Sequence, residues 1–217
     1  MSVARHVMAI VASRKIDELL EIQKSDIPIQ PQVAWLAPII SSISNDDLNK
    51  FISITTLKSI ANMVVFGKHC VIFDDTEKSC TVDVFSESSG KLDNVPIVDV
   101  AVAYDCPYQY KTFLLLMQNA LYIPELEINL RPPFIVRESE IQINECPKIQ
   151  TSNPSIDHHS IYILSCELRI PFNLLNNFSY FETRIPTVGD LETCYKVFIT
   201  PDSSTWNLYS NYHAFNE

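Results

Sequence analysis

Glycine is almost absent. The chain has three in 217 residues, Gly67, Gly90 and Gly189, against a usual share of roughly 7%. Glycine supplies the φ > 0 turns and close backbone approaches on which phosphate-cradling loops depend. Isolated from one another, the three cannot make a G-x-G-x-x-G or a Walker-type loop, which excludes nucleotide binding through a glycine cradle. Basic charge is also short: 16 Lys and Arg against 26 Asp and Glu give a formal net charge of −10. The basic residues stand in ones and twos with no aromatic-basic stripe, so nucleic acid is not an expected partner.

No apolar run approaches the length of a membrane span, so no membrane partner is expected. The apolar stretch from Val7 to Ala12 is too short for a signal peptide and is followed at once by Arg14 and Lys15. The six cysteines, Cys70, Cys80, Cys106, Cys146, Cys166 and Cys194, form no C-x-x-C and no Cys/His pair at ligand spacing. They read as reduced, mostly buried thiols of an intracellular, cytoplasmic protein with no metal or cofactor.

What is present is enough apolar material for a core. Hydrophobic residues are 47% and charged residues 19%, the reverse of the signature of disordered chains. Thirteen prolines spread along the chain exclude long helices after the N-terminal region and point to a β-rich body. From Ser2 to about Lys24, Val7, Ile10, Val11, Ile16, Leu19 and Leu20 recur at helical spacing, predicting one or two amphipathic helices. A proline-punctuated connector runs from Ser25 to Pro38, and Ser44 to Asp47 supply an N-cap for a short helix through Phe51.

Short strands are expected at Met63–Phe66, Cys70–Phe73, Cys80–Phe85, Ile97–Tyr104, Thr112–Met117 and Ile141–Ile143. The clearest hairpin joins Val98–Tyr104 to Lys111–Leu116 through a loop at Asp105–Tyr110. Beyond Thr151 the chain is loop-rich, with strands expected at Ser160–Leu164 and Tyr195–Ile199. The expected organisation is an N-terminal helical segment and connector over 1–54, a β domain over 55–150, and a C-terminal extension over 151–217 packed on it.

The stretch Asn119-Ala120-Leu121-Tyr122-Ile123-Pro124-Glu125-Leu126-Glu127-Ile128-Asn129-Leu130 resembles the N-x-L-Y-x-P-x-L-x-x-N-L-L signature that closes the aspartic-protease segment of copia-type retrotransposon polyproteins. The resemblance extends through Pro132-Pro133-Phe134, Arg137-Glu138, Leu168-Arg169-Ile170-Pro171 and Ile185-Pro186-Thr187, over roughly residues 55 to 217. It implies a mainly β fold with short helices, built around a retropepsin-like small β-barrel. In that family the protease opens with a hydrophobic residue, Asp-Ser, and then a hydrophobic strand ending in Gly-Lys. The corresponding run is Leu57-Lys58-Ser59-Ile60-Ala61-Asn62-Met63-Val64-Val65-Phe66-Gly67-Lys68, so Lys58 stands where the catalytic aspartate is expected.

Retroviral-type proteases pair two such aspartates, one from each protomer, about 3 Å apart and sharing one proton. Two ammonium groups cannot replace them, because they repel each other and cannot accept a proton at neutral pH unless strongly desolvated. Lys58, Ser59 and Ile60 are therefore degenerate equivalents of the catalytic triplet, and no catalytic residue is expected. No Asp-Thr-Gly or Asp-Ser-Gly occurs elsewhere. Asp74-Asp75-Thr76 reads as a solvated turn ending a strand, and Asp83 and Asp99, alternating with apolar neighbours, are expected to face solvent.

Three further constellations have structural readings. His158 and His159 beside Asp157 belong to a surface loop rather than a metal or acid/base pair. In His69-Cys70 adjacency keeps the imidazole from the thiol, which packs with core residues. The aromatic cluster Phe178, Tyr180, Phe181 with Arg184 packs the extension onto the β domain. If the old substrate cleft survives, Asp105, Tyr108, Tyr110, Phe178 and Tyr180 are the residues a cleft or partner surface would use. The ligand would then be a polypeptide segment or a second copy of the chain, and the expected role is binding at most. The alternatives are an active endopeptidase with another catalytic acid and a host-adopted interaction module.

Overall fold

The computed structural model describes residues 32–33, 53–57, 63–84, 91–175 and 178–201. The helices expected at Ser2–Lys24 and through Phe51 lie outside these residues, as do Lys58, Ser59 and Ile60. The described chain is mainly β, with short helices. Its strands are β1 (Gln32–Val33), β2 (Ser53–Leu57), β3 (Val65–Phe66), β4 (Val71–Val84), β5 (Lys91–Cys106), β6 (Lys111–Tyr122), β7 (Ile128–Arg131), β8 (Gln142–Asn144), β9 (Ser160–Ile163), β10 (Leu168–Pro171), β11 (Asn173–Leu175), β12 (Phe178–Thr183) and β13 (Tyr195–Phe198). Helix α1 spans Pro133–Glu138 and α2 spans Val188–Thr193.

The β5–β6 hairpin is the backbone of the larger sheet. Val95 to Tyr104 of β5 is buried at nearly every position, as is Phe113 to Met117 of β6, the pattern of strands covered on both faces. The turn at 107–110 closes with Tyr110 N–H donating to Cys106 O at 3.0 Å, Tyr110 taking φ +53°. On the other side of β5 lies β4. The two strands expected at Cys70–Phe73 and Cys80–Phe85 are one strand, kinked by register shifts at Ile72/Asp74, Asp75/Lys78 and Cys80/Val82. Glu77, at φ +58°, absorbs the second, so the polar run from Asp74 to Lys78 continues the ladder instead of ending it. Another shift, between Val98 and Val100, defeats the alternation that predicted a solvent-facing Asp99: it is 6% exposed and accepts from Asn119 N–H at 2.8 Å.

The order of the larger sheet is β1-β4-β5-β6-β3-β7-β2-β12-β11, with β13 also on β6. The short β1, in the stretch read as a connector, runs parallel to the end of β4. The expected closed barrel is not found among the described strands. One antiparallel bridge, Ala103 with Arg184, joins β5 to the end of β12 by two hydrogen bonds of 2.9 Å.

The centre of the sheet has an unusual threading. β2 and β3 follow each other in sequence, yet β7 lies between them, parallel to β2 from Ile54↔Ile128 to Leu57↔Arg131 and antiparallel to β3 at Val65↔Leu130. Local chemistry explains why this register holds. Asn129 is buried and accepts from Gly67 N–H at 3.2 Å while donating to Ser53 Oγ at 2.9 Å, so one amide ties both flanking segments. A Cβ on Gly67 would lie 1.8 Å from Leu126 O, so only glycine lets the two backbones approach this closely. After β7 the chain turns into α1, with Pro133 at its first position, where the missing N–H costs nothing.

The smaller sheet has the order β10-β9-β8. His159, read as part of a surface loop, is instead 4% exposed, because its φ of +59° turns the ring inward. Its Nε2 lies 2.7 Å from Ser179 Oγ on β12 and its ring meets Phe172 edge-on at 5.3 Å. It therefore fastens the smaller sheet to the larger. Burial, reinforced by the nearby Lys148 charge, lowers its pKa below the ordinary 6.5, with a backbone hydrogen bond at Phe172 opposing. The unfolded chain then binds the proton more readily, so this contribution is complete above about pH 6.5 and is lost as pH falls through the folded value. Melting temperatures of the wild type and His159→Gln should accordingly converge or cross between pH 7 and pH 5, and a difference constant with pH would contradict the assignment.

Candidate functional site

Two places deserve the name of site. The first is the base of the segment joining β2 to β3, where the resemblance puts the degenerate triplet. Leu57, the last residue of β2, pairs with Arg131 of β7. Arg131, the last residue of β7, has no exposed surface. Its Nη2 donates to Ile199 O at 2.6 Å, whereas Nε and Nη1 have no hydrogen-bond partner among the described residues. Desolvation pushes its pKa down to about 9. A buried guanidinium with one carbonyl partner and no carboxylate among the described residues is a cost to the fold.

The second place is a cavity of about 360 Å³ where β5, β12 and the β10–β11 link meet. Tyr104, Pro107, Pro171 and Phe181 give it apolar walls; Asp105, Asn173, Glu182, Thr183 and Arg184 give it polar ones. Tyr104 and Phe181 pack edge to face at 6.2 Å and Phe181 reaches Phe172 at 6.2 Å, which fixes the floor. Burial raises the Tyr104 phenol, so it stays protonated.

Arg184 organises the rim. It donates to Asp105 from Nε at 2.7 Å and Nη2 at 2.9 Å, and to Asp190 from Nη1 at 2.6 Å and Nη2 at 3.3 Å. Asp190 also accepts from Thr187 N–H at 2.7 Å and caps α2 through Thr187. The guanidinium beside them holds both carboxyls below the usual range, and Thr112 Oγ1 reinforces this at Asp105. Both stay ionised at neutral pH, so neither can hold the shared proton of an aspartic dyad. Arg184 is saturated by two bidentate partners and is not free to bind an anion.

Of the five residues expected for a cleft or partner surface, Asp105 alone lines this cavity. Tyr108 and Tyr110 lie on the adjoining turn, 55% and 92% exposed. Phe178 and Tyr180, half-buried on β12, do not line it. The sequence reading placed Arg184 in an aromatic cluster but missed its two carboxylate partners. The T-x-x-D run from Thr187 to Asp190 was the available signal for one of them.

The remaining constellations stay structural. His69 turns to Glu127, Nε2 to Oε2 at 3.1 Å, beside the Lys68 pair at 2.5 Å. The Cys70 thiol points instead to Gly67 O at 3.4 Å, its pKa pushed up to about 12 by burial, so it is no nucleophile at neutral pH. Asp74 and Asp75 are exposed, and Asp75 accepts from Glu77 N–H at 2.9 Å. His158 serves its own loop, accepting from Ser155 N–H at 3.1 Å. No group of three or more His, Cys, Asp or Glu suited to a metal occurs among the described residues, and no described helix is long and apolar enough to cross a membrane.

Because Arg131 has no charge partner among the described residues, Arg131→Leu should leave the fold intact and raise its stability by about 1–4 kcal/mol, read from the urea midpoint. Destabilisation by several kcal/mol would reveal an ion pair and contradict this account.

No protein-family model, no curated protein and no solved structure matches the chain.

Proposed function

We propose that this chain is a degenerate retropepsin-like domain of copia-type retrotransposon origin, without peptidase activity, whose remaining role is to bind polypeptide segments. One observation carries the reading. The two segments that resemble the opening and the close of the protease, 57–68 and 119–130, are more than fifty residues apart in sequence and meet in one sheet. Leu57 pairs with Arg131, Val65 pairs with both Leu121 and Leu130, and Gly67 is held by Asn129. Residues that make the resemblance, the glycine of Gly-Lys and the asparagine of N-L-L, bond to each other.

The loss of activity follows from chemistry. Lys58 directly follows β2 in the sequence, where the resemblance calls for aspartate. Among the described residues the two carboxylates that share one cation, Asp105 and Asp190, are both held ionised by Arg184 and cannot share a proton. Asp99, the buried carboxylate of β5, is engaged by Asn119 N–H and Gln118.

The test is incubation of the pure protein with a denatured, reduced polypeptide from pH 4 to pH 7, with and without pepstatin. No pepstatin-sensitive cleavage is expected at any pH, and such cleavage by the wild-type chain would overturn the proposal. In the double variant Lys58→Asp, Ile60→Gly, a gain of pepstatin-sensitive cleavage would support the correspondence of Lys58 with the lost aspartate.

A further inference from the structure

We infer that the cavity between β5, β12 and the β10–β11 link receives the lysine or arginine side chain of an extended polypeptide partner, with Glu182 as its counter-charge. This deepens the peptide-binding reading and rests on it. The size of the cavity, about 360 Å³, is at the small end of ligand pockets, roughly 300–1,000 Å³. It holds one long side chain rather than a cofactor.

The charges select the sign of the ligand. Arg184, the cavity's cation, is fully used by Asp105 and Asp190, so two carboxylates share one guanidinium and the trio keeps a net negative charge. Glu182 adds a second negative charge at the wall. Its side chain is exposed and makes no ion pair among the described residues. An anion would meet this field with no uncommitted cation in the lining to offset it. A cation enters toward Glu182 and lays its apolar stem on Pro107, Pro171 and Phe181, as long basic side chains do on apolar surface. The chain's net charge of −10 favours basic partners before contact.

The backbone adds the extended geometry. β11 ends the strand order of the larger sheet, and no described strand pairs with its outer edge. Asn173, its first residue, lines the cavity. A segment adding to that edge pairs with backbone groups that no described strand uses and runs past the cavity mouth, placing one side chain in it and the next away from it.

The experiment uses two pools of blocked pentapeptides, one with lysine and one with norleucine at the third position and equal mixtures of Ala, Val, Ser and Thr elsewhere. Binding to the full chain is followed by NMR at the amides of Asn173 and Glu182 and at Nε of Arg184. The lysine pool should shift all three signals. Its apparent affinity should be about three- to fivefold above that of the norleucine pool, a gap that closes in Glu182→Gln and in high salt. Equal binding of the two pools to the wild type would overturn the charge assignment while leaving peptide binding in place. Binding of neither pool would overturn both.

Discussion

The structure depends on one threading, the passage of β7 between β2 and β3. Two consecutive strands normally pair with each other. Here they are held apart by a strand that arrives more than fifty residues later, and the geometry allows it because the residue after β3 has no side chain. A methyl group on Gly67 would collide with Leu126 O, and without that approach the Asn129 amide could not reach both Gly67 N–H and Ser53 Oγ. These bonds are buried, where an unmade hydrogen bond costs more than a made one contributes. The register is therefore specified tightly, and with it the position of the chain entering the segment that begins at Lys58.

Three described strands of the C-terminal third, β11, β12 and β13, are woven into the same sheet. β12 pairs with β2 and β13 with β6, and Thr55 and Thr183 meet across the first of these ladders at 3.3 Å. The Ala103–Arg184 bridge then fixes Arg184 where it can hold Asp105 and, through Asp190, the start of α2. The cavity lies where this bridge brings β5 beside the end of β12. Its acidity and its apolar floor have separate origins: the floor belongs to the core through Tyr104, Phe172 and Phe181, while the charges belong to the rim.

What the sequence made legible follows from how local each signal was. The β5–β6 hairpin was readable because apolar residues run nearly unbroken on both sides of a polar turn. β4 was read as two strands because Asp74 to Lys78 looks like a turn, and only bulges keep it in the ladder. β7 was hidden: it is buried at every position yet carries the polar Asn129 and Arg131, satisfied in part by Ser53 and Ile199 from distant sequence. β12 was seen as an aromatic cluster because β2, the strand that ties it into the sheet, lies over a hundred residues away. The site divides in the same way. Asp105 was visible in its turn, whereas Arg184 and Glu182 acquire their roles from tertiary neighbours, and the inward turn of His159 depends on a positive φ that the sequence does not advertise.

The account stands on the position of β7, and interstrand NMR contacts measure it directly. It predicts amide and Hα contacts between Ile54–Leu57 and Ile128–Arg131 in parallel register, together with antiparallel contacts between Val65 and Leu130. Direct pairing of Ser53–Leu57 with Val65–Phe66 as a hairpin, with Ile128–Arg131 elsewhere, would contradict it.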